Sequence, residues 1–189
     1  VVSGLPRSGT SLMMDMLHAG GIPVLTDRVR QPDTHNPRGY FEYEPIKCLA
    51  TDSSWISAAE GKAIKAISLL LYSLPPDREY RIIFMTRRLE EIMASQYDML
   101  SSMKAPIENS AAIETRQAFE LHLTQALTWV RSQPNMSLLT CDYNQLLNKP
   151  MPILESVSRF VGRPLAIDLM RERIDMGLYR HRENKVRIM

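Results

Sequence analysis

The sequence predicts an α/β fold of three layers (α/β/α), a central parallel sheet with helices on both faces, and three observations carry that expectation. Short apolar runs of strand length alternate with amphipathic helical runs along the chain. The first strand passes at once through a glycine-bearing turn into a helix. With 189 residues and 44% hydrophobic content the chain can bury one substantial core, so a single domain over 1–189 is expected.

A short apolar strand opens the chain and runs into Gly4-Leu5-Pro6-Arg7-Ser8-Gly9-Thr10-Ser11. Leu12, Met13, Met16 and Leu17 then make one helical stripe, which Gly20-Gly21 stops. Ile22 to Leu25 reads as a second short strand ending at Thr26-Asp27-Arg28. From Arg30 to Tyr43 the composition turns polar around Pro32, Pro37 and Gly39, the mark of a long functional loop. After Pro45, Ile46 to Leu49 reads as a short helix. Lys62 to Ile67 fits a strand or the start of a helix running to Leu71, and periodicity leaves both open.

Pro75-Pro76-Asp77 is a break. Beyond it Arg81 to Met85 is a buried-strand run, and Leu89 to Leu100 a helix with Glu90 and Glu91 in its first turn. Glu114 to Val130 is amphipathic, with Phe119, Leu123, Ala126 and Val130 on one face. Met136 to Thr140 is a further strand, followed by a turn or short helix over Tyr143 to Leu147 closed by Pro150. Ile153 to Val161 is the last clear helix, ended by Gly162, and the tail is basic around Arg180 and Arg182. The expected sheet has four or five strands.

Net charge is only +2 and basic residues are spread along the chain, which argues against a nucleic-acid partner. Cys48 and Cys141 lie far apart without metal-ligand spacing, which suits a reducing cytoplasm and predicts no zinc site. The longest apolar run, around Ala66 to Leu71, is too short to span a bilayer, and no leader pattern is readable before the first strand. The expectation is therefore a soluble, cytoplasmic protein.

The first turn has the chemistry of an anion cradle. Its glycines allow a tight turn, several N–H groups converge, and the following helix adds partial positive charge. The nucleotide-hydrolase form of this loop places a Lys after the second glycine to reach the β- and γ-phosphates. Thr10 stands there instead, and the loop's only cation is Arg7. At the end of the Ile82–Met85 strand, where such a hydrolase would carry a magnesium-binding Asp, the chain has Arg87 and Arg88, with Ser95 on the next helix. A planar guanidinium fork with a rotatable hydroxyl suits a second phosphate.

These segments together resemble the sulfotransferases. Pro6-Arg7-Ser8-Gly9-Thr10-Ser11-Leu12 is similar to that family's 5′-phosphosulfate loop, especially the PRSGT form of tyrosylprotein and carbohydrate sulfotransferases. Arg87 and Ser95 resemble its 3′-phosphate pair. The segments from Leu138 to Pro150 and from Phe160 to Leu165 resemble its later strand-turn and Phe-Leu-Gly-x-Pro-Leu motifs.

The resemblance implies a P-loop NTPase-like fold and the donor 3′-phosphoadenosine 5′-phosphosulfate, leaving 3′-phosphoadenosine 5′-phosphate as product, with no metal. It implies a donor site built from Pro6, Arg7, Ser8, Gly9, Thr10, Ser11, Arg87 and Ser95. Trp55 is expected to stack on adenine, and Arg180 and Arg182 to close over the 3′-phosphate although the family's Arg-Lys-Gly pattern is missing. Arg7, Asp27 and Lys65 are the expected catalytic residues, with Asp27 as base and Asp33, His35, Glu42 and Glu44 as alternatives. The acceptor is a small molecule, carbohydrate or peptide. The competing classes are a kinase-type phosphotransferase using ATP and magnesium, and a non-catalytic binder of 3′-phosphoadenosine nucleotides.

Overall fold

The computed structural model describes residues 1–102 and 112–179. Its centre is one parallel sheet of β1 (Val2–Gly4), β2 (Lys65–Ile67), β3 (Tyr80–Thr86) and β4 (Met136–Asp142), in the order β2-β1-β3-β4. β1 pairs with β2 on one side and β3 on the other, so the chain steps from β1 to β2 and then crosses back over β1 to β3. The strand order therefore reverses at β1. In open parallel sheets the crevice at such a point is where ligands bind.

Side-chain alternation along β3 divides the core in two. Ile83 and Met85 face α1 (Thr10–Ala19), α4 (Tyr143–Asn148), α5 (Pro150–Val161) and α6 (Ile167–Arg171), packing with Met13, Met16, Leu146, Leu154 and Met170. Ile82 and Phe84 point the other way. They pack with Ile46, Leu71 and Val130, the last from α3 (Ala112–Ser132). The run Ile82-Ile83-Phe84-Met85 is continuous because both of its faces are covered, as parallel sheets require. α2 (Leu89–Ser102) follows β3 directly.

The expected strand over Ile22–Leu25 does not form. Only Val24 bridges to Ala63, with Leu25 N–H donating to Ala63 O at 2.8 Å and Ala63 N–H to Pro23 O at 2.8 Å. Pro23 has no N–H to extend that ladder. The ambiguity after Lys62 resolves as a strand followed by a 3-10 turn over Ser68–Ser73. The segment near Pro45 is likewise a 3-10 turn, Glu44–Cys48. α5 starts at Pro150 rather than Ile153, because a proline is tolerated in a helix's first turn. The short α6 has no counterpart in the sequence reading.

Candidate active site

A cleft of about 440 Å³ lies at the carboxyl ends of the strands, between the β1–α1 loop, the start of α2 and the loop over residues 30–43. Two glycines fix the β1–α1 turn. Gly4 (φ +146°) sits where a Cβ would lie 2.5 Å from both Met85 O and Ser8 Oγ. Gly9 (φ +102°) sits where one would lie 2.4 Å from the Tyr143 ring. α1 begins after Gly9 without any side-chain cap. Met13 N–H, bonded to Gly9 O at 3.1 Å, is the first to find its helical carbonyl. The N–H groups of Thr10, Ser11 and Leu12 precede it, and those three residues line the cleft beside the positive end of the helix.

Arg7 occupies the left-handed backbone region at φ 74°. Its side chain reaches across the cleft: Nε donates to Ser95 Oγ at 2.9 Å and Nη2 to His35 O at 3.2 Å. Burial lowers its pKa, opposed by nearby Tyr40. Arg87, at the end of β3, donates from Nη1 to Arg7 O at 3.1 Å and from Nε to Glu91 at 2.8 Å. Its guanidinium carbon is 4.5 Å from the centre of the Tyr143 ring. Arg7, Ser95 and Arg87 thus stand together, with the Ser95 hydroxyl held by Arg7 rather than by Arg87.

On the β2 side, Lys65 Nζ donates to Tyr40 O at 2.8 Å and Ser11 Oγ at 3.2 Å, and lies 3.6 Å from Glu42 Oε1. Burial pushes its pKa down to about 8, with the Glu42 charge pulling it back up. Glu42 Oε1 also accepts from Arg30 at 2.9 Å, and the Arg30 guanidinium stacks 3.4 Å over the Tyr40 ring.

Three expected residues stand elsewhere. Asp27 is not a cleft residue: Oδ2 takes Glu44 N–H and Oδ1 takes Val29 N–H, and these bonds hold its pKa below the usual carboxylate value against the effect of burial. Its work is to hold the loop. Ser8 turns its hydroxyl under the loop toward Gly4, wholly buried, and spends its N–H on Leu5 O. Trp55 packs edge-to-face on Tyr43 with ring centres 5.1 Å apart, inside the second core and off the cleft.

Among the alternatives, Asp33 is engaged by the Tyr40 hydroxyl and by the N–H groups of His35 and Asn36. Glu44 pairs with Lys47 at 2.6 Å. Glu42 and His35 line the cleft. Arg180 and Arg182 lie outside the described residues.

Sequence reasoning missed Asp15, buried on α1, whose Oδ2 is 2.9 Å from Arg173 Nε and 3.5 Å from Arg38 Nη1. It ties the 30–43 loop to the segment after α6. Asp15 sits one turn into an otherwise apolar stripe, a polar exception that could have drawn notice. No group of three or more His, Cys, Asp or Glu that could hold a metal ion is found among the described residues. No helix among them is long and apolar enough to cross a membrane. Compared with known proteins, residues 1–183 match the family model described as "Sulfotransferase domain". No curated protein matches the chain.

Proposed function

Because the chain belongs to the sulfotransferase family, we propose that it transfers the sulfuryl group of 3′-phosphoadenosine 5′-phosphosulfate to a hydroxyl or amine on a small-molecule, carbohydrate or peptide acceptor. The observation that carries the donor assignment is the convergence of Arg7, Ser95 and Arg87 beside the uncapped start of α1. Two guanidinium groups, a hydroxyl and a row of helix N–H groups form a donor-rich set that fits a doubly anionic nucleotide. Gly9 lets the turn pack directly against the Tyr143 ring, which leaves no room for a Cβ there. The donor, when bound, supplies a sulfuryl group on a reactive phosphosulfate anhydride.

The chain's own residues divide the remaining work. The N–H groups of Thr10 to Leu12 and the Arg7 guanidinium hold negative charge at the 5′ end, and Arg87 with Ser95 holds the 3′-phosphate. As charge grows on the departing 5′-phosphate, Arg7 stabilises it electrostatically without giving up a proton. Lys65, beside Ser11, brings a second positive charge to the β2 side of the cleft.

The proton of the acceptor needs a base. We assign it to Glu42 in place of Asp27, since Glu42 lines the cleft and Asp27 is consumed by backbone N–H groups. Arg30 and Lys65 both address Oε1, which fixes the carboxylate at the cleft. Both cysteines are free, Cys141 buried and Cys48 exposed, which supports a reducing compartment such as the cytoplasm.

Calorimetric titration with 3′-phosphoadenosine 5′-phosphate, and separately with ATP and magnesium, tests this reading. Tight binding of the bisphosphate without added metal, weakened in Arg7→Ala and Arg87→Ala, is the expected result. Preference for ATP with magnesium would overturn it in favour of a phosphotransferase. Bisphosphate binding without turnover over a broad acceptor panel would leave a nucleotide-binding protein.

A further inference from the structure

Arg87 is held from behind. Glu91, one helical turn further along α2 and 3% exposed, carries three donors on its carboxylate. Oε2 takes Arg87 Nε at 2.8 Å, while Oε1 takes Asn144 Nδ2 at 2.9 Å and the Tyr179 hydroxyl at 2.7 Å. Asn144 Nδ2 and the Tyr179 hydroxyl are themselves 2.7 Å apart. The four residues come from the end of β3, the start of α2, α4 and the segment after α6. The rings of Tyr143 and Tyr179 enclose the same guanidinium, with centres 4.5 and 5.6 Å from its carbon.

A guanidinium presents its donors in one plane. With Nε on Glu91 and Nη1 on Arg7 O, the plane of Arg87 is set from two sides where the residue lines the cleft. Stability alone is a weak reason for such a group, because burying an ion pair gains little over packing apolar residues in its place. Building on the donor reading above, we infer that Glu91 is a positioning residue for recognition of the donor's 3′-phosphate. Its carboxylate aims Arg87, and Tyr179 closes that carboxylate, so that seating of the segment after α6 and the grip on the 3′-phosphate are set together.

Two effects of Glu91 oppose each other. Its negative charge weakens the pull of Arg87 on a phosphate, while its hydrogen bond orients the fork; the inference holds that orientation wins. The test is calorimetry with 3′-phosphoadenosine 5′-phosphate and with adenosine 5′-phosphate, on wild type, Glu91→Gln, Tyr179→Phe and Arg87→Ala. The readout is the ratio of the two affinities. Glu91→Gln should cut the wild-type preference for the 3′-phosphorylated ligand about tenfold, the scale of one charge-assisted hydrogen bond, and leave adenosine 5′-phosphate binding within about twofold.

Tyr179→Phe, which removes a single hydroxyl, should cut the preference about threefold, and it carries the test if Glu91→Gln does not fold. In an Arg87→Ala background neither change should alter the ratio further. An unchanged ratio, an equal loss for both ligands, or tighter bisphosphate binding in Glu91→Gln would overturn the inference. A wild-type protein indifferent to the 3′-phosphate would overturn the donor reading itself.

Discussion

Replacing Lys65 with methionine should separate stability from catalysis through pH. The Lys65 side chain is 10% exposed, and burial brings its pKa from 10.5 to about 8. That fall corresponds to about 3 kcal/mol of differential interaction. The unfolded chain keeps the proton up to about pH 10.5 while the folded protein releases it near pH 8, so between these values the unfolded state binds more protons. Wild-type stability relative to Lys65→Met should therefore be flat below pH 8 and rise by about 3 kcal/mol toward pH 10.5.

Turnover should move the other way, since the ammonium beside Ser11 loses its charge over the same range. The fall in kcat/KM should begin near pH 8, the free protein's value, while kcat holds to higher pH because a bound polyanion favours the charged form. Urea denaturation at a series of pH values, alongside kinetics at the same values, reads both trends. A stability difference between the two proteins that stays constant from pH 7 to 10 would refute the reasoning, because it would mean that Lys65 is as solvated folded as unfolded.

Gly9→Ala drives a methyl group into the Tyr143 ring at a left-handed position, so it should lose 3 kcal/mol or more, roughly, by thermal denaturation and abolish nucleotide binding. Glu42→Gln should lower kcat by about 100-fold or more with donor affinity intact, as measured by turnover and calorimetry; equal loss of both would point to a folding role. Asp15→Asn leaves Arg38 and Arg173 facing a neutral amide, and should destabilise by about 1–3 kcal/mol and raise the acceptor KM more than the donor KM in steady-state kinetics.

Local signals made the sheet and the β1–α1 turn legible. The run Ile82 to Met85 announces a strand covered on both faces, and the glycines at 4 and 9 announce a turn that opens into a helix. Arg87 and Ser95 reach the same cleft because one strand end and two turns of a single helix fix their spacing, although Arg7 takes the Ser95 hydroxyl. What could not be read depends on contacts distant in sequence. Asp27 looked available for proton transfer, but the Val29 N–H and the Glu44 backbone, 17 positions on, each take one of its oxygens. Trp55 looked like a stacking platform, but it packs edge-to-face with Tyr43 away from the cleft. Lys65 and Glu42 meet because β2 and the long loop converge on α1, a juxtaposition that no periodicity encodes.

The backbone of Arg7 puts two demands on one position. Its φ of 74° costs a residue with a Cβ about 1–2 kcal/mol and would cost glycine almost nothing. Folding alone would favour glycine there, or asparagine, which tolerates the same conformation. The bonds to Ser95 and His35 belong to arginine only. A saturation library at this codon should consequently sort into two populations: one selected for abundance, rich in glycine and asparagine, and one selected for turnover, which keeps arginine at a standing cost in stability.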